Sequence, residues 1–213
     1  MQPRTRCFSC YRPKSSCMCE YINPFDTNTQ FIILMHPKEF KKTKNGTGHF
    51  THLLLKNSLL FVGIDFDNNK QINNILNDPN KNCYVLYPSK ESIELNSNNI
   101  AQQNKQNVIF LIDSTWPCSK KILAVSKKIG ALPKISFTHN QLSQFRIKEQ
   151  PNHYCLSTIE STLVVLKLLN QHKIENISQS NLDNFLLPFT KMVDYQLNCI
   201  DNPIAKSPRF LKR

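Results

Sequence analysis

The chain has 213 residues and a formal net charge of +12, from 27 lysines and arginines against 15 aspartates and glutamates. Its hydrophobic fraction of 40% excludes a wholly disordered chain, and no apolar run approaches the roughly 18 residues that cross a membrane. The first 20 residues are polar and show no signal-peptide pattern, so we expect a cytoplasmic protein. The positive charge favours a polyanionic partner, and nucleic acid over an anionic membrane surface.

Half of the eight cysteines lie close together near the start of the chain, in the pattern C-x2-C-x6-C-x-C. This asymmetry marks residues 1–22 as a small module and leaves residues 23–213 as the main domain. In a reducing compartment four such thiolates are more typical of a tetrahedral zinc site than of disulfides. The alternative is a reduced or disulfide-paired cluster. The candidate zinc ligands are Cys7, Cys10, Cys17 and Cys19.

Several basic residues surround these cysteines, a composition that suits a module facing RNA. They are Arg4, Arg6, Arg12 and Lys14. Because so short a module has almost no core of its own, bound zinc would supply most of its folding free energy.

After the module, short apolar runs alternate with helical patterns. The apolar runs predict strands over residues 31–35, 61–64, 83–87, 108–112 and 135–137. The helical patterns predict helices over residues 50–60, 119–129, 156–169 and 182–200, the last interrupted at Pro188. Residues 67–75 predict a loop or short helix, and the Asn/Gln-rich residues 96–107 predict a loop.

This alternation indicates an α/β domain with a mostly parallel sheet flanked by helices. Ligands of such sheets bind beyond the carboxyl ends of the strands. We therefore expect His36, Pro88–Ser89 and Asp113–Trp116 at one edge of the sheet.

The junction Asp113-Ser114-Thr115-Trp116 follows the clearest buried strand and precedes a helix. An aspartate there can act as a base, a hydrogen-bond acceptor or a ribose ligand, and helix amides behind it can meet an anionic group. Trp116, the only tryptophan, can stack on a base or form one wall of a pocket. The alternative is structural: Asp113 or Ser114 caps the helix and Trp116 lies in the core.

Two further stretches can bind anions. Ser157 and Glu160 form the S-x-x-E pattern of a helix capping box, whose remaining amides and hydroxyls can hold a small anionic ligand; a cap with no other role is the alternative. A basic stretch after the first strand leads into Gly46-Thr47-Gly48, where the backbone can approach a phosphate closely. Arg146 can clamp a carboxylate or phosphate. Lone lysines, in contrast, usually belong to a solvated face.

Six motifs in order give the chain a resemblance to a known family. They are CFSC with CMC, HPKE with the following K-T-x-N-G-T-G, LYPS, IDSTW, LPKISF with QFRIKEQP, and LSTIES. With them the chain resembles the DTW-domain family of tRNA-uridine aminocarboxypropyltransferases over nearly its whole length. The family's D-x-T-W stands here as Asp113, Thr115 and Trp116. One departure is His49, where many relatives are expected to carry a basic side chain.

The resemblance implies a SPOUT-like α/β fold with a C-terminal trefoil knot. It also implies a reaction in which the 3-amino-3-carboxypropyl group of S-adenosylmethionine passes to the imide nitrogen of a tRNA uridine, leaving 5′-methylthioadenosine. Asp113 is the expected catalytic base or orienting group. The zinc module and the basic stretch would grip the tRNA backbone.

The expected donor-binding residues lie in the two loops next to the proposed knot. They are Leu111, Ser114, Thr115, Trp116, Leu156, Ser157, Thr158 and Glu160. The residues expected to bind the RNA substrate are His36, Lys38, Lys41, Lys42 and Arg146. Two other functions fit parts of the pattern: a non-catalytic zinc-dependent RNA-binding module, and a SPOUT-like RNA methyltransferase. The pattern does not determine the target uridine or the oligomeric state.

Overall fold

The computed structural model describes residues 5–41, 46–100, 104–147 and 155–201. One sheet of six parallel strands organises this part of the chain, in the order β2-β1-β5-β3-β6-β4. The strands are β1 (Gln30–Met35), β2 (Ser58–Val62), β3 (Lys81–Leu86), β4 (Ile93–Glu94), β5 (Gln106–Asp113) and β6 (Lys134–Ser136). The α/β class and the parallel sheet are as predicted.

Helices connect and cover the strands. They are α1 (Pro37–Lys41), α2 (Thr47–Leu54), α3 (Lys70–Leu76), α4 (Trp116–Val125), α5 (Lys127–Gly130), α6 (Thr158–Gln171), α7 (Gln179–Asn184) and α8 (Leu187–Asp201). Two short 3-10 turns, Lys14–Ser16 and Cys19–Tyr21, lie in the cysteine-rich module. Among the described residues, no helix combines the length and the apolar character needed to span a membrane.

The two central strands are apolar because both of their faces are covered. Side chains alternate along a strand, so Ile33 and Ile109 enter one hydrophobic cluster while Ile32 and Val108 enter the other. The first cluster packs under α2, α6 and α8. The second lies on the opposite face of the sheet, under α3, α4 and α5.

The register between these strands sets the position of the polar residues that follow them. Met35 pairs with Asp113, so both strands end at the same edge of the sheet. The His36 backbone N–H donates to the Asp113 carbonyl at 3.1 Å and continues the pairing by one residue. The carboxyl edge thus places the start of α1 beside the Asp113–Trp116 junction, as predicted.

The boundaries of several elements differ from the predictions. The helix expected over residues 50–60 begins at Thr47 and ends at Leu54, and β2 begins at Ser58 instead of residue 61. The cause is a tertiary contact: the Phe25 N–H donates to the Leu54 carbonyl and the Lys56 N–H donates to the Phe25 carbonyl, which draws this stretch into an extended bridge. The strand β4, only two residues long, was missed.

Two predicted helices are divided in the structure. The one expected over residues 119–129 breaks at Ser126, because its hydroxyl donates to the Ile64 carbonyl and accepts from the Phe66 N–H. The one expected over residues 182–200 separates into α7 and α8, with Pro188 in the first turn of α8, where a missing N–H costs no helical hydrogen bond.

Candidate functional site

A cavity of about 470 Å³ opens at the carboxyl edge of the sheet, within the size range of small-molecule sites. Loops after β3, β5 and β6, the segments that begin α2 and α6, and Glu39 of α1 surround it. The lining residues that were predicted to bind the donor or act in catalysis are Leu111, Asp113, Ser114, Thr115, Trp116, Leu156, Ser157 and Thr158. The cavity therefore brings together nearly all of the donor-binding candidates.

Asp113 lies at the bottom of this arrangement, between the first turns of two helices. It is only 6% exposed, and its Oδ1 accepts a hydrogen bond from the Thr158 hydroxyl at 2.6 Å. On its other side Gly48 of α2 comes so close that a Cβ added to this glycine would lie 2.5 Å from Asp113 Oδ2. Both helix N-termini bring positive partial charge towards the carboxylate.

The structure contradicts the alternative in which Asp113 or Ser114 caps α4 and Trp116 lies in the core. The N-cap of α4 is Thr115, with no hydrogen bond from its side chain to the helix. Trp116 is 40% exposed and meets Tyr87 edge to face at a ring separation of 5.8 Å. The idea that Trp116 belongs to the core is therefore wrong, and its indole forms part of the cavity wall.

At the start of α6 the capping box is confirmed. Glu160 accepts from the Ser157 N–H at 2.8 Å, and the Ser157 hydroxyl also hydrogen-bonds to the Glu160 carboxylate. The same carboxylate accepts from the Ser143 hydroxyl and the Gln144 N–H. Glu160 is not among the cavity-lining residues, so its direct contact with a donor stays a prediction. Its bonds hold the loop that carries Phe145 against the cavity.

The residues predicted to bind RNA are dispersed. Lys38 and Lys41 are exposed on α1, whereas His36 is buried and accepts the Lys38 N–H on Nδ1 at 3.1 Å. Arg146 does not line the cavity; its guanidinium lies 3.2 Å from the Asp194 carboxylate of α8. Lys42 lies outside the described residues. The exposed lysines of α1 sit beside the cavity, because Glu39 between them lines it.

The four N-terminal cysteines converge on a point suited to a metal ion. Their sulfur atoms all lie within 4.8 Å of one another, with Cys7–Cys19 at 3.6 Å and Cys10–Cys17 at 3.7 Å. These separations are too long for disulfides and match the edge of about 3.8 Å that Zn–S bonds of about 2.3 Å would give a tetrahedron. Backbone N–H groups of Cys10 and Ser9 lower the pKa of the Cys7 thiol to about 6.

The prediction that Arg12 faces RNA is wrong. Its side chain is 2% exposed and its guanidinium lies over the Phe50 ring of α2, 4.5 Å from the centroid. Burial lowers the Arg12 pKa to about 10, opposed by the charges of Cys10, Cys17 and Cys19, so it stays protonated at neutral pH. Arg12 therefore joins the cysteine cluster to the main domain. Arg4 and the tail over residues 206–213 lie outside the described residues.

His49, the residue before Phe50 on α2, is also buried. Its ring lies 5.5 Å from those of Tyr11 and Phe40. Burial lowers the His49 pKa, as do the neighbouring charges of His52 and Arg12. The departure noted at this position thus replaces an expected cation with an imidazole that is neutral at physiological pH.

Sequence reasoning missed several cavity residues. Tyr87 follows β3, Ser136 ends β6, and Phe137 and His139 follow it; Cys155 precedes α6, whereas Pro88 was expected at this edge of the sheet. The rule that ligands bind beyond the carboxyl ends of parallel strands predicted Pro88 after β3, and the same rule could have identified Tyr87 and the residues after β6. Phe145 lies in an irregular stretch, and only the fold brings it to the cavity.

Comparison with known proteins adds the family to this geometry. The DTW domain family matches residues 4–197 of the chain. The chain belongs to the DTW domain family. It is 30% identical over 177 residues to tRNA-uridine aminocarboxypropyltransferase 2 of Drosophila melanogaster, covering 78% of this chain and 67% of that protein. The protein of the same name from Mus musculus is 27% identical, over 91% of this chain and 64% of its own length.

The DTW-family chain thus spans about two thirds of the length of these relatives, which are named as transferases that modify tRNA. The counterpart from Macaca fascicularis is 25% identical over 197 residues. No solved structure matches the chain.

Proposed function

We propose that this protein transfers the 3-amino-3-carboxypropyl group of S-adenosylmethionine to the imide nitrogen of a tRNA uridine. The names of its relatives support the reaction class. The observation that carries the proposal is the placement of Asp113, the family's aspartate, at the base of a ligand-sized cavity with Thr115 and Trp116 on its wall.

The cavity residues fit the chemistry of this donor. The rings of Trp116 and Tyr87, with Leu86 and Leu111 beside them, suit an adenine. Hydroxyls of Thr115 and Ser136 suit the ribose, while the Asp113 carboxylate suits an ammonium group. The donor, when bound, supplies a carbon attached to a sulfonium leaving group.

In the reaction a bond forms between the uridine nitrogen and this carbon, the carbon–sulfur bond breaks, and the imide proton must leave. Asp113 orients the donor or accepts that proton, and Thr158 and Gly48 fix the position of its carboxylate. Selecting the aminocarboxypropyl carbon over the methyl carbon is then a matter of alignment with the uridine.

The remaining parts of the proposal concern the surroundings of the reaction. The exposed lysines of α1 bind tRNA phosphates, and the cysteine cluster holds a structural zinc ion. The trefoil knot and the cytoplasmic location implied above stay predictions.

The test is to incubate the protein with unmodified tRNA and S-adenosylmethionine and to analyse the nucleosides by mass. An aminocarboxypropyl uridine supports the proposal, a methylated nucleoside would indicate the methyltransferase, and RNA binding without product would indicate the binding module. Asp113→Ala should abolish transfer and keep tRNA affinity. Asp183→Ala on α7, whose carboxylate accepts from Gln179, is the matched control and should retain full transfer.

A further inference from the structure

Three aromatic side chains are exposed on the cysteine-rich module and on α1. Phe8, between the first two cysteines, is 94% exposed, Tyr11 is 47% exposed and Phe40 of α1 is 37% exposed. The rings of Tyr11 and Phe40 lie 6.4 Å apart, and both cover His49. We call Phe8, Tyr11 and Phe40 the aromatic surface. An exposed phenylalanine gains no burial energy, so the fold does not account for Phe8.

The backbone at Tyr11 gives a second, independent indication. Its φ of 58° is in the left-handed region, which is strained for a residue other than glycine. Hydrogen bonds from the Tyr11 N–H to Cys7 and from the Cys7 N–H to Arg12 impose this turn, which glycine would adopt without strain. The presence of tyrosine instead of glycine at this strained position indicates that the ring has a function.

The charge around the aromatic surface indicates the class of partner. Lys38 and Lys41 flank Phe40 on the same short helix, and both are exposed. Arg6 and Lys14 are exposed on the module that carries Phe8 and Tyr11. Aromatic rings among cations are the composition of surfaces that stack unpaired bases and bind their phosphates.

The aromatic surface is also continuous with the cavity. Phe40 follows Glu39, which lines the cavity, and His49 beneath the rings follows Gly48, which touches Asp113. RNA bound to this surface would therefore lie close to the candidate catalytic carboxylate of Asp113.

We infer that the aromatic surface stacks unpaired nucleobases that neighbour the target uridine. Phe8 and Tyr11 supply the stacking faces, while the surrounding cations bind the phosphates. The inference rests on the proposed function only in its choice of RNA substrate. It assigns the module a role in substrate recognition beyond holding zinc.

The test measures the Kd for unmodified tRNA at several salt concentrations. Phe8→Ala should raise the Kd by about 5- to 100-fold, with little change in the slope of log K against log salt. Lys41→Ala should instead reduce that slope by about one. Phe8→Trp should retain affinity, and Leu142→Ala, which removes a 68% exposed side chain outside the surface, should change nothing.

Tyr11→Gly separates recognition from folding, because glycine relieves the backbone strain while removing the ring. It should weaken tRNA binding and keep the metal content. A Kd unchanged within twofold in both Phe8→Ala and Tyr11→Gly would overturn the inference. So would a change in oligomeric state in Phe8→Ala, which would assign the surface to a protein contact.

The outcomes also distinguish this inference from the proposed function. If tRNA binding depends on Phe8 but no aminocarboxypropyl product forms, the function fails and the stacking surface stands. If product forms at the same rate and affinity without Phe8, the function stands and the stacking surface fails.

Discussion

The close approach of Gly48 to Asp113 makes the substitution Gly48→Ala a sharp test of the site. The added Cβ would lie 2.5 Å from Asp113 Oδ2 and 2.6 Å from Cγ, about 0.9 Å inside the 3.4 Å at which ordinary contact begins. Because Thr158 holds the other carboxylate oxygen at 2.6 Å, the carboxylate can move aside only by straining or losing that hydrogen bond.

The expected effects on stability and activity differ in size. Alanine gains about 1 kcal/mol over glycine within a helix, and overpacking costs about 1–3 kcal/mol, so the free energy of unfolding should fall by only about 0–2 kcal/mol. A displacement of about 1 Å at a reacting group can cost about 100-fold in rate. We therefore expect transfer to fall by about 100-fold in a protein that is still folded.

The assay combines transfer kinetics, donor binding by calorimetry, and urea unfolding. Gly63→Ala is the matched control, since its Cβ would meet the Phe66 ring at 3.0 Å in a cluster away from the cavity. It should show a similar stability change with normal transfer. Transfer and donor affinity within twofold of wild type in Gly48→Ala would refute the assignment of Asp113 to the site.

Individual contacts give three other predictions. Thr158→Val should lower transfer by about tenfold by removing the hydrogen bond to Asp113, whereas Thr162→Val, whose hydroxyl bonds to a helix carbonyl, should lower only stability. Cys7→Ser with Cys10→Ser should abolish zinc binding, and stoichiometric metal by elemental analysis would contradict the assignment. The lowered pKa of His49 means that the folded state resists protonation; this contribution to stability is therefore complete above pH 6.5, the ordinary pKa, and is lost as pH falls from there through the lowered pKa of the folded state. Urea unfolding between pH 7 and 5 should show a smaller loss in His49→Gln than in wild type.

The sequence predicted the centre of the fold well because the central strands carry their own signal. β1 and β5 are covered on both faces, so they form continuous apolar runs that cannot be confused with an amphipathic helix of ordinary length. Since parallel strands end at one edge, the position of Asp113 beside His36 followed directly.

The predictions failed where contacts between distant segments decide the structure. Ser126 divides a helix through bonds to Ile64 and Phe66, which no local pattern reveals. Arg12 is surrounded by basic residues in the sequence, yet it is buried because Phe50 and the cysteine cluster offer it a ring face and negative charge. Arg146 pairs with Asp194 of the last helix, a contact that no local pattern reveals, while its binding of the RNA substrate stays a prediction.

The motifs that gave the resemblance are far apart in the chain but meet around one carboxylate. The glycine of the T-G turn touches Asp113 from one side, and the threonine of LSTIES donates to it from the other. LYPS contributes Tyr87 to the cavity wall beside Trp116, and LPKISF contributes Phe137. These motifs meet because the loops that follow parallel strands lie at the same edge of the sheet. Among the described residues, the CFSC and CMC motif alone lies outside the cavity. The buried Arg12 and the half-exposed Tyr11 of its module contact α2, the helix that brings Gly48 to Asp113. Loss of the metal should therefore loosen α2 and, through Gly48, displace the Asp113 carboxylate.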